Sequence, residues 1–291
     1  MKLFVFGLGY SAAFFAQRLH AYGHQVTGTV RTPVKAKAMA HDGLIARIFG
    51  PDGHDEEIES DILACDAMLI SVPPDAGGDP ILRTYAKQIA AAKTIRWIGY
   101  LSTIGVYGDH AGEWIDERTP ANPSNVRSQR RVRAEQDWLG LGTKGNASVQ
   151  IFRLAGIYGP GRNQLIQIAQ GTARRIIKPG QVFNRTHVED IAQVLEASLE
   201  RPRNGGIYNV TDNEPAPPQD VVTFAAQLCN RTPPPEVRLE DAALTDMGRS
   251  FYDENKRVRN QLIHDELGVT LKYPTYREGL AALKAAGDGS M

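Results

Sequence analysis

Apolar residues in the first half of the chain fall into short unbroken runs separated by stretches with helical spacing. "KLFVF" (2–6) and "HQVTGTV" (24–30) predict two strands, and "SAAFFAQRLHAYG" between them predicts an amphipathic helix that Gly23 closes. "LIARIF" (44–49), "AMLISV" (67–72), "IRWIGYLS" (95–102) and "ASVQIFRLA" (147–155) continue the strand series, and "PILRTYAKQIAAAK" reads as a helix between the second and third of these. Strands that are apolar throughout and alternate with helices predict a parallel sheet covered on both faces.

After Gly156 the texture changes. Loops rich in Pro and Gly appear ("YGPGRN", "NEPAPPQ", "RTPPPE"), helices outnumber strands, and "GIYNVT" (206–211) reads as a late strand rejoining the sheet. The expected organisation is an α/β unit over 1–158, with a strand and helix returning at about 182–212. A smaller lobe over 159–291 interleaves with it. No internal repeat or low-complexity segment interrupts this plan.

The first strand runs into "FGLGYSA", a G-x-G-x-x-A pattern at Gly7, Gly9 and Ala12. Gly7 permits the tight turn, Gly9 lets a pyrophosphate approach the backbone, and Ala12 is small enough for helix and strand to pack closely. Tyr10 and Ser11 open the following helix, whose unpaired N–H groups face the same phosphates. Ser71, near the end of "AMLISV", joins the expected cofactor set. The second strand ends at Thr29, Val30 and Arg31, with no acid until Asp42. A carboxylate there would favour NAD through the ribose hydroxyls. An arginine pairs with a 2′-phosphate, which makes NADP the preferred cofactor and NAD the second. A solvated loop charge is the alternative for Arg31.

Composition narrows the remaining choices. The 291 residues hold 33 Lys plus Arg and 33 Asp plus Glu, so no overall field draws the chain to nucleic acid. Only Cys65 and Cys229 are present, too few and too far apart for a zinc set or a disulfide framework. The apolar start ends at Gly7, far short of a signal sequence or membrane span. A cytoplasmic protein with no metal, no nucleic-acid partner and no membrane partner is expected.

Against that neutral background, "NVRSQRRVRAEQDW" (125–138) places Arg127, Arg130, Arg131 and Arg133 within seven positions. No aromatic stacking series accompanies them, so a nucleic-acid patch is a poor reading. A solvated face, a partner surface and part of an active site remain.

Several stretches resemble the NAD-dependent epimerase/dehydratase family, in the extended and atypical branches of the short-chain dehydrogenase/reductase superfamily. They are "LSTIGVYGD" (101–109), "RLAGIYGPGR" (153–162), "THVEDIA" (186–192), "YNVTD" (208–212) and "NKRVRNQLIHDELG" (255–268), in family order. The resemblance implies an α/β fold, a Rossmann-type doubly wound parallel sheet, with a smaller C-terminal substrate lobe. It implies that Thr103 hydrogen-bonds the reacting oxygen, and that Arg162 and Asn163 lie where family members contact substrate phosphate. It also implies a homodimer face on the arginine-bearing helix. The family's Tyr-x-x-x-Lys pair is missing: alignment through Pro123 and Ala134–Glu135 puts Arg127 and Arg131 at those positions. Arg131 would retain the cationic contact to the cofactor ribose. Arg127 cannot shuttle a proton, because its guanidinium stays protonated, but it can clamp a substrate carboxylate or phosphate. Arg130 and Arg133 would project elsewhere, toward acids such as Glu135 or Asp137. His187 is expected to stabilise a turn, and Tyr107 to be architectural. Tyr10, Tyr158 and His187 lie near the cleft without being specific enough to name as the acid/base. Two functions follow: an atypical oxidoreductase or epimerase on a small polar or sugar-like substrate, or a non-catalytic NADP-binding, redox-sensing module that acts through a protein partner.

Overall fold

The computed structural model describes residues 1–51, 53–143, 145 and 147–290. The chain begins β1 (Lys2–Phe6), α1 (Tyr10–Ala21), β2 (Gln25–Val30), α2 (Pro33–His41), β3 (Ile45–Gly50), β4 (Gly53–His54) and α3 (Glu57–Ala64). It continues β5 (Ala67–Ile70), α4 (Pro80–Ala91), β6 (Trp97–Thr103), α5 (Val126–Gly142) and β7 (Ser148–Leu154). Then come α6 (Gln164–Ala169), α7 (Val188–Glu200), β8 (Ile207–Val210) and α8 (Pro218–Leu228), with α9 (Tyr276–Ala285) near the end.

The eight strands form one sheet in the order β8-β7-β6-β5-β1-β2-β3-β4, parallel except for β4, which folds back on β3. This is the parallel sheet expected from the apolar runs, in the doubly wound arrangement that the family resemblance implied. Alternate side chains of β1 serve opposite faces, as the strand repeat of two requires. Leu3 and Val5 pack with Phe15 and Leu19 of α1 and with Ile191 and Leu195 of α7. Phe4 and Phe6 pack with Ile58 and Ile62 of α3, Tyr85 of α4 and Trp138 of α5. The chain leaves β1 toward β2 on one side and returns at β5 on the other, so a topological switch point lies between β1 and β5. Ligands of open α/β sheets bind outside the carboxyl ends of such strands.

Two helices escape the hydrophobic pattern. Helix α2 buries no residue and is fixed by its start, where Pro33 stands at the first position and the Thr32 side chain accepts the Lys35 N–H. Helix α3 offers only Ile58 and Ile62 to the core. Beyond residue 158, Leu165 and Ile168 of α6, Val221 and Ala225 of α8, and Leu280 of α9 form a separate apolar cluster with Tyr158. Two short parallel pairings tie this part to the rest, Gly156–Tyr158 with Arg185–His187 and Trp114–Ile115 with Arg257–Val258, and a third, Arg175–Ile177 with Glu236–Arg238, lies within it. Among the described residues no helix is long and apolar enough to cross a membrane, and no group of three side chains is placed to hold a metal ion.

Candidate cofactor and active site

The glycine turn sits at the switch point. Gly7 has φ +89°, a region that costs any side chain, and a Cβ there would stand 3.0 Å from Val72 Cγ2. Thr29, buried at the end of β2, staples the turn: its Oγ1 accepts the Gly7 N–H at 2.9 Å and its carbonyl accepts the Leu8 N–H at 2.8 Å. Gly28 allows that approach, since its Cβ would meet Leu8 Cγ at 2.8 Å and the Val5 carbonyl at 2.9 Å. Gly9 is different. It caps α1 without a side-chain hydrogen bond, and a Cβ on it would find nothing closer than 3.9 Å.

The space above Gly9 is therefore open and bordered by donors. The first turn of α1 carries no acid, and the Ser11 hydroxyl is buried without a hydrogen-bond partner. The Ser71 Oγ lies 4.0 Å from where the Gly9 Cβ would stand. Orphan N–H groups, the positive end of a helix and an unpaired buried hydroxyl fit a dinucleotide pyrophosphate. Arg31 is exposed just past β2, and among the described residues its side chain makes no hydrogen bond or ion pair. Ala12 is fully buried against the sheet.

Tyr10 reaches away from the turn. Its hydroxyl donates to the Pro160 carbonyl at 3.0 Å, and the Arg162 guanidinium lies 5.5 Å from its ring centre. Burial raises the Tyr10 pKa, with Arg162 opposing and Asp288 adding to the rise. Asn163 is buried: its Oδ1 accepts the Leu165 and Ile166 N–H groups at the start of α6, and its Nδ2 donates to the Gly159 carbonyl and to Asp288.

At the carboxyl end of β6, the Thr103 hydroxyl accepts the Gly105 N–H at 3.1 Å and caps the single 3-10 turn Ile104–Tyr107. The first turn of α5 packs beside it. Asn125 caps this helix by accepting the Ser128 N–H, and Ser128, Glu135 and Trp138 are buried along one side, with Arg131 half-buried among them. Ser128 Oγ and Thr103 Oγ1 flank Gly105, at 3.1 and 3.4 Å from the position of a Cβ there. The start of α5 is pinned from a distance. Ser124 and Asn125 donate to Glu254, whose other oxygen pairs with the buried Lys256, and Lys256 Nζ also donates to the Gly108 carbonyl.

Sequence and topology are shared with known proteins. Protein YeeZ of Escherichia coli K12 is 30% identical over 285 residues, covering 94% of this chain and 96% of YeeZ. The structure of a functionally unknown conserved protein from Silicibacter pomeroyi DSS is 49% identical, matches 99% of both chains and superposes with a TM-score of 0.89. A candidate NAD-dependent epimerase/dehydratase from Methylobacillus flagellatus is 26% identical over 98% of both chains, with a TM-score of 0.68. The chain belongs to one family with YeeZ, and it shares the fold of NAD-dependent epimerase/dehydratase proteins. No family model matches it. The fold extends to the human epimerase family protein SDR39U1, solved with NADPH, at 17% identity, 98% and 99% coverage and a TM-score of 0.72.

Arg127 and Arg131, the residues expected at the Tyr and Lys positions, are separated here. Arg127 is exposed on the first turn of α5, without an ion pair among the described residues. Arg131 turns inward, where its Nη1 donates to the Leu101 carbonyl at 2.7 Å and the Tyr100 hydroxyl at 3.2 Å. Glu135 is not the partner of Arg130 or Arg133. It lies buried and accepts hydrogen bonds from Ser102 and from Arg153, whose Nη2 is 2.7 Å away. Arg130 and Arg133 instead border a depression of about 310 Å³ with Asp75, Arg83 and Asp137. A larger depression, about 600 Å³ around His54–Ser60, is remote from the glycine turn in sequence and shares no residue with it.

The other aromatic and histidine candidates are engaged. The Tyr107 hydroxyl donates to Asn209 Oδ1 at 2.8 Å, and the Arg153 guanidinium sits 4.7 Å from its ring centre. Burial pushes the Tyr158 hydroxyl far above its ordinary pKa, and its ring packs edge-on against His187 at 5.1 Å. His187 caps α7 by accepting the Glu189 N–H at Nδ1, and burial depresses its pKa to about 4. The residue that sequence reading missed is Ser128. Its signal was the spacing 128, 131, 135 and 138, one helical face that ends in a tryptophan.

Proposed function

We propose that this chain binds NADP in preference to NAD and oxidises, reduces or epimerises a small polar or sugar-like substrate. The observation that carries this reading is the open, donor-lined space above Gly9 beside the unpaired Ser11 hydroxyl. SDR39U1, with the same fold, holds NADPH. Bound at the turn, the nicotinamide supplies hydride transfer. The chain's own groups do the rest. The helix start and Gly9 hold the pyrophosphate, Ser71 stands beside it, and Arg31 pairs with the 2′-phosphate. Thr103 hydrogen-bonds the reacting oxygen, with Ser128 presenting a second hydroxyl across Gly105. Arg131 stays near the ribose as a fixed cation, and Arg127 meets an anionic substrate group from the exposed side of α5. Arg162 and Asn163 belong to the substrate side. With guanidinium at the tyrosine position, the proton moves through water or a hydroxyl.

A non-catalytic NADP-binding module is the second reading. It is favoured by the internal engagement of the two key groups, Thr103 with the Gly105 N–H and Arg131 with Leu101 and Tyr100.

Calorimetric titration with NADPH and NADH tests the cofactor, and reduced-nicotinamide absorbance across a panel of polar carbonyl compounds and sugar nucleotides tests the chemistry. Tighter NADPH binding with turnover supports the first reading. Binding without turnover supports the second, and activity gained by Arg127→Tyr on the silent panel then identifies the missing acid/base. Binding of neither cofactor overturns both.

A further inference from the structure

The segment after α9 folds back onto the loop that carries Arg162. Gly287 (φ +104°) and Gly289 (φ +72°) turn the chain, and Gly289 seats so closely that a Cβ would stand 2.9 Å from Leu165 Cβ and 3.2 Å from Cys229 Sγ. This fixes the carboxylate of Asp288 between them. Its Oδ2 accepts the Gly161 N–H at 2.9 Å and an Asn163 Nδ2 hydrogen at 2.6 Å. Asn163 is itself immobilised, with both ends of its amide bonded within the loop and α6. Among the described residues, no cation forms an ion pair with Asp288. Arg162, between the two donors in sequence, holds its guanidinium against Tyr10, and among the described residues no carboxylate lies in ion-pair range of it.

A backbone N–H and a fixed amide donor, with the Arg162 guanidinium on the same loop, form a set that suits an oxyanion of any source. The set adjoins Tyr10, the first residue after the glycine turn. A Cβ on Gly159 would stand 2.6 Å from the Tyr10 hydroxyl, so loop and turn are in contact. We propose that the Gly159–Asn163 loop is an anion subsite, taking the phosphate or carboxylate of a ligand, and that Asp288 fills it as an intramolecular plug. Its place beside a substrate rests on the dinucleotide reading of the glycine turn; the exchange of anions does not. A ligand that displaces the plug binds with its intrinsic affinity reduced by the fraction of molecules in which the loop is free.

The probe is inorganic phosphate, titrated into the full chain and followed by calorimetry, with NADPH binding measured separately on each protein. Asp288→Ala is expected to bind phosphate about 10-fold more tightly than the unchanged chain, the factor by which a plug closed in nine molecules of ten masks a site. Asp288→Asn keeps an acceptor but loses the charge, and an intermediate gain is expected. Adding Arg162→Gln to Asp288→Ala should erase the gain. No gain in either Asp288 variant, with thermal unfolding and NADPH affinity close to the unchanged chain, would make Asp288 a plain tether and overturn the proposal. A gain that survives Arg162→Gln places the phosphate elsewhere and also overturns it. If Asp288→Ala does not fold, Asp288→Asn alone decides. Failure of the unchanged chain to bind NADPH removes the cofactor reading and leaves the phosphate comparison intact.

Discussion

At the scale of single residues, the two glycines of the turn separate binding from folding. Gly9 has open space where a side chain would go, so Gly9→Asp should leave the fold intact and abolish NADPH binding by placing a carboxylate against the pyrophosphate. Calorimetry together with thermal unfolding checks both halves. Gly7 combines a positive φ with Val72 at contact distance, so Gly7→Ala should cost about 1–2 kcal/mol of stability, seen as a lower urea midpoint. Among the described residues Arg31 has no partner to lose, so Arg31→Glu should leave stability unchanged while weakening NADPH more than NADH. Equal losses for the two cofactors would remove the 2′-phosphate role.

At the scale of the element, α5 shows what the sequence made legible. Strands, the glycine turn and the stop at Gly23 depend on local periodicity and turn chemistry, and they are where the pattern predicts them. The seat of the Thr103 end of the cleft depends on partners that pattern does not reveal. Helix α5 hides its buried face because that face holds Ser128, Arg131 and Glu135 as well as Trp138, so hydrophobic spacing alone shows little more than a basic run. The mate of Glu135 is Arg153, 18 residues away on β7, and the mate of Asn163 is Asp288, 125 residues away. The Glu135–Arg153 pair gives a direct test. Arg153→Met strands a carboxylate among Ser102 and the sheet, and should cost about 3–5 kcal/mol in urea unfolding. Adding Glu135→Gln should restore most of that loss, because the stranded charge disappears with it.

At the scale of the whole molecule, the buried Asp212 and His187 pull the pH response in opposite directions. Burial outweighs the nearby Arg185 and lifts the Asp212 pKa from 3.8 to about 8, while one of its oxygens has no partner. Between those values the unfolded chain has released a proton that the folded chain keeps, so stability falls as pH rises. His187 runs the other way: its pKa drops from 6.5 to about 4, and stability falls as pH falls through that window. The two oppose each other between about pH 4 and 6.5, and above 6.5 only Asp212 remains of this pair. Thermal unfolding should therefore show stability declining from pH 6.5 to 8, and Asp212→Asn should flatten that decline. The contact between Lys256 and Gly108 spans 148 residues, and through Glu254 it fixes the first turn of α5, where Ser128 faces Thr103. During synthesis, the sheet strands up to β8 emerge before that tether exists. A nascent chain therefore holds every strand of the sheet before it holds the residues that pin Ser128 opposite Thr103, and that end of the cleft is the last to be set.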